Sequence, residues 1–98
     1  MVALEMKLYK LEGFKKSNTK NKMYDAILIN RMTNKKRHIP FGDKRYENYS
    51  DKTGLNLYPN LIHGDNKRLK AYKSRHQGFI KKGFYSPAYF SMRYLWSR

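Results

Sequence analysis

Apolar and polar residues alternate at the start of the chain. Val2, Leu4, Met6 and Leu8 fall at period two with Glu5 and Lys7 between them. This is the pattern of a half-buried strand, or of an arm that adds to another sheet. Residues 1–12 are therefore expected to form an N-terminal strand or arm, with 13–98 a single small basic domain. Residues 13–22 (GFKKSNTKNK) contain little apolar surface and read as a basic loop. From Met23 to Arg31 alternation returns, with Tyr24, Ala26 and Leu28 on one face and Met23, Asp25, Ile27 and Ile29 on the other. The β-branched and aromatic content predicts a strand covered on both faces at its middle. Thr33-Asn34-Lys35-Lys36 predicts a turn, and Arg37 to Phe41 the returning strand of a hairpin.

The period changes in the second half. Asp65 is placed to cap a helix running to about His76, with Leu69, Tyr72 and His76 at i, i+3, i+7 on its apolar face. Gly78 and Gly83 bracket a break. Ser86-Pro87 then supplies an N-cap followed by proline at the first helical position. Tyr85, Tyr89, Met92 and Trp96 follow at i, i+4, i+7, i+11, the expected core stripe of a final helix. The expectation is an α+β fold: a small antiparallel sheet or β-hairpin in the N-terminal half, followed by two C-terminal helices.

Charge adds what periodicity does not. The 98 residues carry 22 Lys and Arg against 7 Asp and Glu, a formal net charge of +15. No acidic residue follows Asp65, while Lys67, Arg68, Lys70, Lys73, Arg75, Lys81, Lys82, Arg93 and Arg98 do. Such a surface meets a polyanion or an acidic protein with no internal counter-charge to offset it, and a partner that neutralises it stabilises the fold. Interleaved aromatics give the segment enough apolar surface to fold, unlike a disordered basic tail.

Several function classes lose support. The absence of cysteine removes disulfide frameworks, thiolate zinc sites and thiol catalysis. No run approaches the roughly 18 apolar residues of a membrane span, and the alternating start lacks a signal-peptide core, so we expect a soluble or peripheral protein. Attraction to anionic lipid has the charge but lacks a wide apolar helical face. His63, Asp65 and His76 match no standard metal-ligand spacing and lie among cations. Asp43, Glu47 and Asp51 would align only on a helix that Gly42 and the turn-rich 50–54 segment oppose. The glycines show neither phosphate-loop nor dinucleotide spacing. We expect no cofactor, no metal, no small-molecule substrate and no enzymatic activity.

The candidate partner-binding cations are Lys67, Arg68, Lys70, Lys73, Arg75, Lys81, Lys82 and Arg93, read against the alternative of an ordinary solvated helix face. Phe79, Phe84 and Phe90 lie off the helical stripe and are candidate aromatic contacts to a partner.

An ordered set of segments carries a further resemblance. Tyr24-Asp25-Ala26 opens a strand, followed by Ile39-Pro40-Phe41-Gly42 and Tyr46-Glu47-Asn48-Tyr49. His63-Gly64-Asp65-Asn66-Lys67-Arg68, Tyr72 and Arg75-His76 come next, and Met92-Arg93-Tyr94-Leu95-Trp96 last. Over roughly residues 22–97 this resembles an uncharacterised family of small basic proteins encoded by chlorella viruses and other nucleocytoplasmic large (giant) DNA viruses. The resemblance implies a virion protein, present in host cytoplasm or viral factory during assembly, and supplies no activity. Two functions follow as expectations. One is a minor capsid or cement protein bridging acidic surfaces such as capsid subunits. The other is a sequence-nonspecific binder or packager of viral DNA or RNA, or a ribonucleoprotein component.

Overall fold

The computed structural model describes residues 4–98. Three antiparallel strands in the order β1-β2-β3 form one sheet: β1 (Tyr9–Lys16), β2 (Tyr24–Asn30) and β3 (Lys36–Phe41). Helix α1 (Asn66–His76) and the helical turn α2 (Pro87–Phe90), which continues as a π-helical segment Ser91–Leu95, occupy the C-terminal third. The fold is α+β, with the sheet in the N-terminal half and two helices after it.

The β2–β3 hairpin follows from its alternation. Tyr24, Ala26 and Leu28 are fully buried on the core face, whereas Ile27 and Ile29 are half-buried on the other. At the turn, Asn30 Oδ1 accepts from the N–H groups of Met32 and Thr33, and Asn34 adopts the left-handed conformation that asparagine tolerates.

The first strand departs from expectation. Val2 lies outside the described residues, and Glu5 to Leu8 form a turn closed by Leu8 and Tyr9 N–H donating to the Glu5 carbonyl. Residues 4–6 pair within the chain, with Tyr85 N–H donating to Leu4 and Met6 N–H to Gly83. The strand itself runs through Gly13 to Lys16, the segment expected as loop, so the division expected at residue 12 falls inside β1. A bulge explains the difference. The register with β2 shifts between Leu11 and Gly13, so Tyr9, Leu11 and Phe14, not every second residue, turn toward the core.

The last helix departs in a related way. Phe90 and Leu95, five residues apart, are fully buried, and Trp96 is nearly so, while Tyr85, Tyr89 and Met92 are half-buried. A π-helical turn places i and i+5 on one face, which a 3.6-residue period does not anticipate. Phe90, expected at a partner surface, therefore sits in the core, 5.5 Å from Phe41 and stacked on Tyr85 at 5.4 Å. The Ser86-Pro87 start signal does hold: Ser86 Oγ accepts from Tyr89 N–H.

Gly42 joins the sheet to this helix. It has φ +76°, and a Cβ there would lie 2.8 Å from Leu95 Cδ1 and 3.0 Å from Met23 Sδ. Nearby, the buried Tyr24 hydroxyl donates to Asp51 and accepts from Leu57 N–H, fastening the 50–57 loop to β2. Burial and the neighbouring Asp51 carboxylate push the Tyr24 hydroxyl up to about 12.

Gly42→Ala should lower the unfolding free energy by roughly 2–4 kcal/mol, combining left-handed strain with overpacking. Gly54→Ala, also at positive φ but with no atom within 4 Å of the added Cβ, should cost only about 1–2 kcal/mol. Urea unfolding of both variants checks this, and equal losses would contradict a packing role for Gly42. Stability should also fall between pH 10 and about 12. An unfolded Tyr24 ionises at its ordinary value while the folded one stays protonated, so unfolding is favoured as pH rises through that window.

A candidate polyanion-binding trough

Helix α1 begins where the sequence places it. Asp65 Oδ1 accepts from Lys67 N–H at 2.9 Å and Arg68 N–H at 3.3 Å, satisfying donors that the first turn leaves open. Only Leu69 of this helix is fully withdrawn from solvent. Beyond Leu69, the helix is held by the Tyr49 hydroxyl donating to Asn66 Oδ1 at 2.8 Å, by the Arg68–Glu47 pair and by stacked rings. Tyr72 stacks face to face on Trp96 at 4.1 Å with an interplanar angle of 2°, and its other neighbour is His76 at 4.2 Å.

Trp96 is fixed in turn. Its indole N–H donates to Asn48 Oδ1 at 3.1 Å, and His63 packs against it at 5.2 Å. Asn48 is buried and spans three elements. Its side-chain N–H contacts Met23 Sδ, its backbone N–H donates to Leu61, and its carbonyl accepts from His63 N–H. The last turn before Trp96 is closed by the loop beside it, with Ser50 N–H donating to Leu95 and Lys52 N–H to Tyr94. These bonds satisfy carbonyls that a helix end otherwise leaves unpaired.

So mounted, α1 forms one wall of an elongated trough, and the π-helical segment with the chain after it forms the other. Two hollows of about 600 and 360 Å³ meet at Lys73, which lines both. Lys67, Lys70, Lys73, Arg93 and Arg98 border them, all exposed, and no carboxylate side chain does. The floor is apolar, with Leu69 at one end and Ile80, Tyr89 and Met92 at the other.

The seven acidic side chains are all engaged elsewhere. Glu5, Glu12 and Glu47 pair with Lys7, Lys36 and Arg68. Asp25 lies beside Lys15 and His38. Asp43 chelates Arg45 with two bonds of 3.0 and 2.8 Å, which holds its carboxyl down at about 2. Asp51 receives Tyr24 and Thr53, and Asp65 caps α1. Among the described residues, only Lys7, Lys15, Lys36, Arg45 and Arg68 of the 22 lysines and arginines form such carboxylate pairs.

The expected site residues divide among three places. Lys67, Lys70, Lys73 and Arg93 come together in the trough. Arg68 and Arg75 turn to the opposite side of α1, where with Lys22 they border a cleft of about 740 Å³ that also holds Asp43 and Glu47. Lys81 and Lys82 lie on the connecting segment, with the Lys81 ammonium 4.5 Å from the centre of the half-buried Phe84 ring. Phe79 is 69% exposed beside His76. Leu69, Tyr89 and Met92, expected on the apolar stripes of the two helices, line the floor, whereas Arg98 and Ile80 are not among the residues that the sequence proposes for a site. Arg98 belongs to the acid-free run, and Ile80 is an isolated aliphatic in a basic linker, which are the signals that point to them.

The His63, Asp65 and His76 set does not converge. His63 Nδ1 accepts from Asp65 N–H, His76 packs on Tyr72, and no group of three potential metal-ligating side chains occurs among the described residues. His63 Nε2 is buried without a hydrogen-bond partner. Burial, followed by the nearby Arg68 guanidinium, lowers the His63 pKa.

Asn48→Ala should cost about 1–3 kcal/mol, because it leaves the Trp96 indole N–H buried and unpaired. Quenching or a red shift of the single tryptophan's emission during urea unfolding reports it, and an unchanged midpoint would contradict the anchoring role. His63 also makes stability pH-dependent. Its folded pKa lies below the ordinary value of about 6.5, so the unfolded chain takes up the proton first and stability falls as pH drops through that region. His63→Gln should flatten the unfolding midpoint between pH 7.5 and 5.5, roughly the span around that ordinary value. An unchanged slope would remove His63 as its source.

No protein-family model, curated protein or solved structure matches this chain.

Proposed function

We propose that the protein is a non-enzymatic structural component of a large DNA virus particle, a minor capsid or cement protein whose cationic trough grips acidic surfaces of neighbouring subunits. One observation carries this reading. Every acidic side chain has a partner within the chain, Asp25 through one oxygen only, while the cations of the trough face solvent with no carboxylate among them. Their charge is left for a partner, whose binding stabilises a protein that otherwise repels itself. The segments from Tyr24 to Trp96 that resemble small basic proteins of giant viruses supply the viral setting. On this reading the protein resides in the virion, and in cytoplasm or viral factory during assembly.

A second reading, binding to the phosphate backbone of viral DNA or RNA, draws support from Lys67, Lys70 and Lys73, spaced every three residues along α1. The aromatic rings favour protein. Proteins that hold single strands stack bases on vacant ring faces. Here Tyr72 lies between Trp96 and His76, and Phe90 is buried, while the open rings of Tyr46 and Phe79, 65% and 69% exposed, lie outside the trough lining.

Fractionation of purified virions separates the two. The protein should remain with DNA-free shells and be released by high salt without nuclease. Release with the DNA core, and absence from empty shells, would overturn the capsid reading. Binding to duplex DNA in vitro supplies a second discriminant. Neutralisation of six or more phosphates would weaken binding on the order of 10³-fold between 50 and 200 mM salt. The capsid reading predicts DNA binding weaker than binding to an acidic protein at the higher salt.

A further inference from the structure

We propose that the trough between α1 and the C-terminal segment accepts an acidic amphipathic helix from a partner protein, with the helix's apolar ridge on Ile80, Tyr89 and Met92 and its carboxylates against Lys70, Lys73 and Arg93. The proposal rests on the acidic-partner reading above and specifies its ligand.

Two properties of the trough select this occupant. Every charged side chain on its rim is a cation, with Asn66, Gln77 and Ser97 the neutral polar residues between them, so a ligand presenting acidic groups along both edges is matched in charge, and a neutral helix is not. Its floor at the Met92 end is apolar and half-exposed, a surface for which a phosphate backbone or a plain polyacid has no complement. A helix with apolar residues at i, i+3, i+4 and i+7 presents both features, a ridge flanked by charge. Hollows of about 600 and 360 Å³ give room for a row of side chains from such a ridge. Met92 suits the purpose, because its unbranched thioether side chain adjusts to irregular surfaces. The rim cations also gain from docking, since they have no carboxylate partners of their own among the described residues.

The test uses three labelled probes against the full chain in fluorescence anisotropy: a synthetic helical peptide with leucine on one face and glutamate on the other, polyglutamate of equal charge, and a duplex oligonucleotide. The amphipathic peptide should bind at least about tenfold tighter than polyglutamate, and tighter than the duplex. Met92→Ser, which removes the apolar contact without changing the charge, should remove that advantage while leaving polyglutamate binding intact. The double variant Lys70→Glu/Lys73→Glu should weaken both acidic probes by about tenfold or more. Circular dichroism of each variant confirms that it folds. Equal affinity for the peptide and polyglutamate overturns the helix-docking proposal while leaving the acidic-partner reading intact. Preference for the duplex overturns both. Affinities unmoved by Lys70→Glu/Lys73→Glu place binding elsewhere and overturn the site.

Discussion

The C-terminal third depends on one side chain, Trp96. Its ring stacks on Tyr72 of α1, its N–H closes on the buried Asn48, and His63 packs against it edge to face. Leu69 alone is too little apolar burial to dock an eleven-residue helix crowded with like charges. Face-to-face stacking of Tyr72 on Trp96 supplies the remaining area, and the Asn48 bond removes the penalty of a buried, unpaired indole N–H. Because Asn48 also contacts Met23 and pairs through its backbone with residues 61 and 63, the sheet, the long loop and α1 meet at one residue pair. Uncharged contacts thus do much to set the position of the cation array, beside the Asp65 cap and the Arg68–Glu47 pair.

That arrangement permits the charge asymmetry. Seven carboxylates against 22 basic residues cannot neutralise the surface, and they are spent on local tasks: capping α1, tying the 43–45 turn, anchoring Tyr24. What holds the C-terminal segment is aromatic. Phe14, Phe41, Phe90 and Tyr94 pack with centroid separations of 4.7 to 6.3 Å, bringing β1, β3 and the last helix together with little polar contribution. Repulsion among the exposed cations is tolerated by this core and would be relieved by the acidic partner proposed above.

Local signals were legible wherever local geometry was regular. Asp65, Leu69, Tyr72 and His76 give α1 with its boundaries, and Tyr24, Ala26 and Leu28 give the core face of β2, because one period governs each. Two irregularities concealed the rest. The bulge near Glu12 breaks the alternation of β1, so Phe14 looked like part of a basic loop although it packs in the core. The π-helical turn moves the buried positions to Phe90 and Leu95, so Phe90 looked like a surface residue. The candidate site was legible in charge and not in shape. The acid-free run names the cations, but only the crossing of α1 with the chain end assigns Lys67, Lys70, Lys73 and Arg93 to one trough and sends Arg68 and Arg75 to the other side.

An acidic partner bound along the trough, as proposed above, would lie against a helix held in place by Trp96. Amide hydrogen exchange of the full chain, with and without an excess of a glutamate-rich peptide, tests this placement most directly. Protection should rise across residues 66–76 and 92–98 and stay unchanged in the cationic hairpin end around Lys35, Lys36 and Arg37. Protection concentrated in that hairpin, or spread evenly over the molecule, would place acidic partners elsewhere than on the trough.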